Sequence, residues 1–380
     1  MATEFDIIIL GGGCAGLSLV MRLAKLGQDC PRVAMIEKRE QYVADRTWSY
    51  WASQSAELKH SARAEWKQVA INGDGKNLRI DCADVPYQAI DAGAFYDAAV
   101  AEIVGNPNIL FYRGDEVKAV CKVNGLWEVG LSRGTLSGRQ VVDTRPVHDV
   151  GCAVPLMWQS FSGVEVECAE DIFDDGVATL MDFIQGPEGQ VTFLYVLPYT
   201  PSRALIEVTV FGREVRSERD LAPILDESVK KWVKSVSVKV TYREHYAIPM
   251  GLPERERSKD ESYVRAGIEA GGARAATGYV FQRIQRWAEE SSERVRSGRM
   301  VRGHARDPWL VRKMDRLFLR VLLRNPERGP ELFVRLFGLR DPRSVMRFMH
   351  DEATMLDYLK IMCALPKRLF LAELAKGFFR

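Results

Sequence analysis

The first 37 residues constrain the fold more than any other part of the chain. A short apolar run at residues 5–10 precedes glycines at positions 11, 13 and 16, which give the spacing G-x-G-x-x-G. An amphipathic segment follows from Leu17 to Ala24, and a second apolar run ends in Glu37. This order of strand, glycine turn, helix and strand predicts a parallel βαβ unit that binds a dinucleotide.

Each residue type in this unit has a physical role. Gly11 allows a tight turn, Gly13 lets the backbone approach a pyrophosphate, and Gly16 permits close packing of helix and strand. The helix N-terminus offers N–H groups and a partial positive charge to phosphates. Glu37 lies where a carboxylate accepts hydrogen bonds from ribose hydroxyls. The alternative is an ordinary βαβ unit with a glycine-rich turn.

The position of the motif favours FAD over NAD as the cofactor. The motif starts close to the N-terminus, as in proteins whose flavin domain leads the chain. A later apolar run at residues 141–142 ends in Asp143 at a turn, as expected of a strand that returns to a flavin domain. We therefore expect Asp143 to lie near the cofactor.

Composition excludes several other classes of protein. Hydrophobic residues make up 47% and charged residues 27% of the chain, as in globular proteins, and the net charge of +2 indicates no nucleic-acid partner. The seven cysteines form no C-x-x-C pair, so we expect reduced thiols and no metal site. The N-terminus lacks a secretory pattern, and no uncharged apolar run reaches the roughly 18 to 20 residues of a spanning helix. We expect a cytoplasmic protein that is peripherally associated with the inner membrane.

The pattern along the chain predicts an α/β fold with three parts. A discontinuous FAD-binding Rossmann-type domain would comprise residues 1–51, 91–150 and 260–298. A β-rich substrate domain would comprise residues 52–90 and 151–259, and a helical C-terminal region residues 299–380. This arrangement is typical of the flavin monooxygenase-like group.

Two carboxylates interrupt apolar runs in the β-rich part. In strict alternation, Asp182 would share a strand face with Leu180, and Glu207 would share one with Leu205 and Thr209. A carboxylate among apolar neighbours has a raised pKa, so it can hold a proton near neutral pH and deliver it. Alternatively, both acids point to solvent from an antiparallel sheet.

Six short segments together resemble one known family. They are DRTWSYW at 45–51, TLMDF at 179–183, FLYVLPY at 193–199, ALIEVT at 204–209, IPMG at 248–251 and GGARAATGY at 271–279. In this order they resemble the bacterial lycopene β-cyclases, FAD-containing enzymes of carotenoid synthesis, over nearly the whole chain. The resemblance implies a redox-neutral cyclisation of a lipid-soluble polyene, with FAD in its reduced form and NAD(P)H as the electron source.

The resemblance also implies roles for individual residues. Glu207 matches an essential acid/base of the family, and Asp182 matches the acid of the family's M-D segment. The flavin would be bound by Gly11, Gly13, Gly16, Glu37, Arg46, Asp143, Gly271, Gly272, Thr277, Gly278 and Tyr279. Two positions depart from the family pattern: Cys14 in the glycine loop, and His245, where another acid is expected. The second departure weakens any role for Glu244.

This chemistry predicts a role for the aromatic residues. Carbocations offer no hydrogen-bonding groups, but an aromatic ring face stabilises a cation by roughly 0.5 to 2 kcal/mol. We therefore expect Trp48, Trp51, Phe183 and Tyr195 to contact the substrate. Plain packing at a domain junction is the alternative for the tryptophans.

The C-terminal region is basic and amphipathic. Between residues 301 and 348, basic side chains outnumber acidic ones and alternate with Leu and Phe. Such helices can lie in a lipid interface beside anionic headgroups, or they can form a solvated basic face over a helical core. The sequence favours neither reading and predicts no oligomeric state.

Three other functions share parts of this pattern. A flavin monooxygenase or halogenase acting on a hydrophobic substrate would have a similar cofactor domain, but the G-D pair of hydroxylases and the W-x-W-x-I-P motif of halogenases are missing. A flavin-dependent isoprenoid reductase and a non-catalytic membrane-binding protein are the others.

Overall fold

The computed structural model describes residues 4–52, 62–146, 154–234, 236–253 and 258–378. The strands within them are β1 Glu4–Leu10, β2 Val33–Glu37, β3 Thr47–Trp51, β4 Ala62–Trp66, β5 Gln68–Gly73, β6 Lys76–Asp81, β7 Tyr87–Asp91, β8 Ile109–Arg113, β9 Ala119–Val123, β10 Leu126–Leu131, β11 Gly134–Asp143, β12 Met157–Cys168, β13 Val177–Phe183, β14 Val191–Thr200, β15 Arg203–Gly212, β16 Val238–Met250 and β17 Tyr263–Arg265. The helices are α1 Cys14–Ala24, α2 Ala92–Val104, α3 Glu218–Val233, α4 Phe281–Arg296, α5 Trp309–Arg324, α6 Gly329–Phe337, α7 Pro342–Met349, α8 Met355–Ala364 and α9 Lys367–Phe378. The predicted boundary at residues 150–151 lies outside the described residues.

The first sheet carries the dinucleotide motif. Its strand order is β8-β2-β1-β11-β10-β9, and β17 pairs with β11. Strand β1 runs parallel to both β2 and β11, and its two faces enter different cores. Ile7 and Ile9 pack under α1, α2 and α4. Ile8 and Leu10 pack on the other face with residues of β10 and β11, two strands that are antiparallel to each other. Burial on both faces explains the uninterrupted apolar run of this strand.

The second sheet forms a broad wall of seven strands in the order β16-β12-β15-β14-β13-β5-β6. Strand β15 alternates strictly. Ile206 and Val208 pack beneath α3 on one face, while Leu205 and Phe211 join the core shared with the C-terminal helices on the other. Glu207 therefore points to the side of the C-terminal helices, as strict alternation predicts.

Strand β13 does not alternate strictly, and one prediction fails there. A bulge between Thr179 and Asp182 inserts one residue relative to β14. Asp182 consequently pairs with Leu194, which packs beneath α3, whereas Leu180 packs in the core on the opposite face. The prediction that Asp182 and Leu180 share a face is wrong, because a bulge shifts the faces by one residue.

A small sheet of order β3-β7-β4 separates the two main cores. Tyr50 of β3 is buried in the core of the first sheet, and its neighbour Trp51 is buried in the core of the second. The alternation of one short strand thus places consecutive aromatic residues in different hydrophobic cores.

The remaining elements include one that the sequence pattern did not predict. Helix α3 lies within the part predicted to be strand-rich, and a capping box of Ser217 and Asp220 begins it. Helix α5 lies within the region at residues 299–380 that the sequence pattern predicted to be helical. No helix among the described residues is long and apolar enough to cross a membrane.

Candidate active site

The glycine turn and the start of α1 form a cradle suited to a pyrophosphate. Gly11 has φ of +95°, a conformation that side chains disfavour, and a Cβ on Gly16 would overlap the carbonyl oxygen of Gly11. Gly13 is the N-cap of α1 and supplies no side-chain cap, while the space around its missing Cβ is open. Free N–H groups beside open space fit the phosphates of a dinucleotide.

Glu37 closes one side of this cradle. Its buried carboxylate accepts hydrogen bonds from the backbone nitrogens of Gly12 at 2.6 Å and Arg39 at 2.9 Å. The Arg39 side chain also donates to Glu37 and lies over the ring of Tyr42. Oε1 accepts from the backbone and the side chain of Arg39, and Oε2 accepts from Gly12 and, at 3.4 Å, from the Arg39 guanidinium, so a ribose hydroxyl would replace one of the Arg39 contacts. Arg39 and Tyr42 were not predicted as part of this site.

Asp143 lies at the end of β11, behind the glycine turn. Burial disfavours its ionised form, but hydrogen bonds from Arg145 and from the Tyr263 hydroxyl outweigh that effect, so the pKa of Asp143 is lowered. The next residue, Thr144, donates to the carbonyl oxygens of Leu10 and Gly11. The structure therefore places Asp143 as an anchor of the turn that supports the glycine loop.

The segment that contains Gly271, Gly272, Thr277, Gly278 and Tyr279 is held from below by Arg274. Its guanidinium, 2% exposed, forms two hydrogen bonds of 3.1 Å with Asp315 of α5 and stacks over Phe348 of α7. Removing one member of such a buried pair costs about 3 to 5 kcal/mol. The predicted flavin-ring segment is thus fixed to the C-terminal helices.

Two buried glutamates lie across one glycine in the second sheet. Strand β12 runs between β15 and β16, and Gly163 is the register partner of both Glu207 and Glu244. A Cβ on Gly163 would lie 3.3 Å from the Cβ of Glu207. Glycine at this position leaves space for the two carboxyl groups on one face of the sheet.

The surroundings of the two acids disfavour their ionised forms. Burial, followed by repulsion from Glu244, raises the pKa of Glu207 well above its usual range, although Thr209 donates to it at 2.8 Å. Burial also raises the pKa of Glu244 to about 7, against hydrogen bonds from the Tyr242 hydroxyl and the Thr47 backbone nitrogen. The pair can therefore hold at least one proton at neutral pH. Sequence reasoning assigned no role to Glu244, because its proximity to Glu207 depends on strand register.

Tyrosines extend from this pair toward the predicted flavin-ring segment. Tyr195 is the register partner of Glu207 on β14, and its hydroxyl lies 2.8 Å from that of Tyr87. The Tyr87 hydroxyl lies 3.5 Å from that of Tyr279, and the ring of Trp51 contacts the Tyr87 ring edge-on at 5.0 Å. Burial raises the pKa of both Tyr87 and Tyr195, so their hydroxyls stay neutral. Tyr87 was not predicted, and the structure brings it to the acid pair through β7.

Phe183 and Arg46 are two further predicted site residues. Phe183 packs against Phe193 and Phe333 on the same face of the sheet. Arg46 lies over the ring of Tyr246, and its positive charge favours the ionised form of Glu244. The structure thus places Arg46 beside the acid pair.

Trp48 and Asp182 are not brought to the acid pair. Trp48 stacks on Phe281 and contacts Phe95 edge-on, within the core of the first sheet. Asp182 points to the α3 side of the second sheet; burial raises its pKa, opposed by a hydrogen bond with Asn72 and the charge of Lys231. The placement of Trp48 does not support its predicted contact with substrate. The placement of Asp182 does not support a joint action with Glu207.

Solved structures of similar architecture define the class of fold. A geranylgeranyl bacteriochlorophyll reductase-like protein from Thermoplasma acidophilum aligns with a TM-score of 0.60 and 12% identity, covering 96% of this chain and 97% of the other. The p-nitrophenol 4-monooxygenase of Pseudomonas putida DLL-E4 aligns with a TM-score of 0.60 and 16% identity, covering 97% and 99%. A probable FAD-dependent monooxygenase from Pseudomonas aeruginosa aligns with a TM-score of 0.55 and 13% identity, covering 98% and 100%. The predicted fold of the flavin monooxygenase-like group is confirmed.

Sequence comparison then identifies the family. The model of the lycopene cyclase protein family matches residues 6–374. The chain therefore belongs to the lycopene cyclase family, and the resemblance seen in its motifs is confirmed. No curated protein matches the sequence significantly.

Proposed function

We propose that the protein closes the linear ends of lycopene into β-rings by acid catalysis. The observation that carries this proposal is the Glu207–Glu244 pair, which is buried across Gly163 on a face of apolar and aromatic side chains, where burial raises the pKa of both acids. Protonation of an alkene requires an acid that remains protonated in a site without water, and a desolvated carboxyl group meets that requirement.

In the proposed reaction, Glu207 donates its proton to a terminal carbon–carbon double bond. A new C–H bond forms, and the neighbouring carbon becomes a tertiary cation. An internal double bond of the same substrate attacks that cation, which forms a C–C bond and closes a six-membered ring. The Glu207 carboxylate then takes a proton from the ring carbon, which forms the ring double bond and restores the carboxyl group. One proton enters and one leaves, so the product is an isomer of the substrate.

Glu244 has two tasks in this scheme. Its negative charge would stabilise the cation that develops as Glu207 gives up its proton, in a medium of low dielectric constant. It also lies across Gly163 from Glu207 in the sheet register, so it can share the proton with Glu207 or return it. The neutral rings of Tyr195 and Trp51 would stabilise the cation without competing as bases.

The cofactor of this reaction would be FAD, held by the glycine turn, Glu37 and the 271–279 segment. The open space at Gly13 beside the uncapped N-terminus of α1 fits its pyrophosphate. Reduced FAD would supply negative charge near the cation with no net change of oxidation state, and NAD(P)H would serve as its reductant. Because the substrate dissolves only in lipid, we place the enzyme on the cytoplasmic surface of the inner membrane.

Expression in a bacterium that accumulates lycopene, with pigment analysis, tests this function. The expected result is conversion of lycopene to a cyclic isomer of the same mass. Unchanged lycopene in the presence of folded, flavin-bearing protein would contradict the proposal. A product heavier by two hydrogens would indicate a reductase, and substrate-stimulated oxygen uptake a monooxygenase.

A further inference from the structure

The last two helices expose an unusual number of large apolar side chains. Between residues 355 and 374, six such side chains are 41% to 65% exposed: Met355, Leu356, Leu359, Met362, Leu371 and Leu374. Exposure of this kind, concentrated on α8 and α9, indicates a surface that binds another apolar phase or partner. We call these six side chains the α8–α9 patch.

The exposed charges on α8 and α9 themselves have one sign. The exposed charged side chains between residues 355 and 376 are Lys367, Arg368 and Lys376. The two acids in that stretch are buried: Asp357 bonds to Arg347 at 2.6 Å, and Glu373 pairs with Arg324 at 3.2 Å. An apolar surface with only cationic exposed charges fits the headgroup region of an anionic bilayer.

A large apolar cavity opens at the same patch. Its volume is about 1040 Å³, part of it open to solvent. Met362, Leu371 and Leu374 line its mouth, and Ala276 and Thr277 line it at the other side of the helices. Thr277 is two residues from Tyr279, whose hydroxyl belongs to the tyrosine chain that ends beside Glu207.

We propose that α8 and α9 dock on an anionic lipid surface and form the mouth through which the polyene passes directly from the bilayer into this cavity. The proposal rests on the proposed function for the identity of the polyene, but its docking step does not. The sequence left open whether the basic helices between residues 301 and 348 form a solvated face or lie in a lipid interface. The structure assigns the lipid-binding role to α8 and α9, because the apolar side chains of the earlier helices are largely buried.

Vesicle binding by the flavin-loaded, full-length protein tests the docking step. The probes are phosphatidylglycerol vesicles and phosphatidylcholine vesicles, and the variant is Met355→Gln/Leu356→Gln/Leu359→Gln, whose side chains are exposed and do not line the cavity. We expect the variant to bind phosphatidylglycerol vesicles at least tenfold more weakly than the original protein, which itself prefers them to phosphatidylcholine.

The control variant removes three exposed valines elsewhere: Val104→Gln/Val123→Gln/Val240→Gln. It should bind vesicles as the original protein does. A second variant, Arg368→Glu/Lys376→Glu, leaves the apolar patch intact and should also weaken binding to phosphatidylglycerol. Equal vesicle binding by the patch variant and the original protein would overturn the proposal. Concentration-dependent dimerisation that the patch variant abolishes, without vesicle binding, would instead assign the patch to a second copy of the chain.

Two forms of substrate separate this proposal from the proposed function. The patch variant should convert detergent-dispersed lycopene at a rate within about twofold of the original protein, and vesicle-embedded lycopene at least tenfold more slowly. Failure of the original protein on both forms would contradict the proposed function, while vesicle binding would still decide the docking step. Equal rates of the two proteins on vesicle-embedded substrate would contradict the mouth at α8 and α9.

Discussion

Glu207 and Glu244 are register partners of the same residue, Gly163, on the two strands that flank β12. Among the described residues, neither acid has a basic side chain as a hydrogen-bond partner; Thr209, Tyr242 and the backbone nitrogen of Thr47 donate to them instead. This differs from Glu165 on the same strand as Gly163, which is paired with Arg63 and Arg203. Burial without a paired cation is what keeps a proton on the two acids.

Replacing Glu207 by Gln separates acid catalysis from cofactor binding. The amide keeps the shape of the side chain and can still accept from Thr209, but it cannot donate an acidic proton. We expect cyclisation to fall by about 100- to 10,000-fold, the usual contribution of general acid catalysis, while the flavin content stays the same. Product formation in lycopene-accumulating cells and the absorbance of bound flavin measure the two effects.

The matched control for this prediction is Asp182→Asn. Asp182 lies on the α3 side of the sheet, so we expect its variant to retain activity within a few-fold of the original protein. Full activity of Glu207→Gln would remove Glu207 from the mechanism. Loss of activity in Asp182→Asn with an unchanged melting temperature would show that Asp182 takes part in catalysis, as the sequence predicted. The strand face on which Asp182 lies would then not exclude a catalytic role.

Glu244→Gln should change the pH dependence of stability. Glu244 ionises near its ordinary pKa of 4.5 in the unfolded chain and near 7 in the folded protein, so the folded state binds more protons between these pH values. The free energy of unfolding of the original protein therefore falls as pH rises from about 4.5 to 7, whereas the amide introduced by Glu244→Gln does not titrate. We expect the variant to gain about 3 kcal/mol relative to the original protein between pH 4.5 and pH 8, from about 1.36 kcal/mol per pKa unit.

Denaturant unfolding at about pH 5 and pH 8 measures this gain. Glu167→Gln, at an exposed position of β12, controls for the removal of a negative charge and should change stability by less than about 0.5 kcal/mol at either pH. A gain that is larger at the lower pH than at the higher would contradict the raised pKa of Glu244.

Local features of this structure could be predicted from the sequence, whereas features that depend on the pairing of distant segments could not. The glycine turn, α1 and Glu37 follow one another within 37 residues, and their local pattern was sufficient to predict the parallel βαβ unit of the first sheet. The pairing of Glu207 with Glu244 depends on the register of three strands, which no local pattern records. Nothing in the sequence marks the bulge that turns Asp182 to the other face.

The aromatic residues of β3 show the same limit. Their alternation could be predicted from the sequence. The core that each face of the strand enters could not, because it depends on β7 and on helices far along the chain. Trp48 contacts Phe281 of α4, and Trp51 contacts Tyr87 of β7. The sequence pattern treats the two tryptophans alike, whereas the structure separates them.

Tyr195 offers a test of whether an aromatic ring stabilises the cation. Tyr195→Phe keeps the ring and removes the hydroxyl that lies 2.8 Å from that of Tyr87, whereas Tyr195→Leu removes the ring. If the ring stabilises a cation, the Leu variant should have an activation barrier roughly 0.5 to 2 kcal/mol higher than the Phe variant. Its rate should then be about 2- to 30-fold lower than that of the Phe variant. Initial rates on detergent-dispersed lycopene at equal flavin loading provide the comparison. Equal rates for the two variants would assign Tyr195 to packing and hydrogen bonding alone.

Gly13→Ala tests the assignment of the dinucleotide site without disturbing the fold. A Cβ on Gly13 meets no atom of the described residues within 4 Å, so the melting temperature of the flavin-free protein should be unchanged. The added methyl group would occupy the space in which the backbone approaches the pyrophosphate, so we expect FAD affinity to fall at least tenfold. Flavin titration followed by fluorescence measures the affinity. Gly105→Ala, at the end of α2 and with ordinary contact distances around its Cβ, is the control and should bind FAD normally. Normal FAD binding by Gly13→Ala would show that the pyrophosphate does not lie against the start of α1.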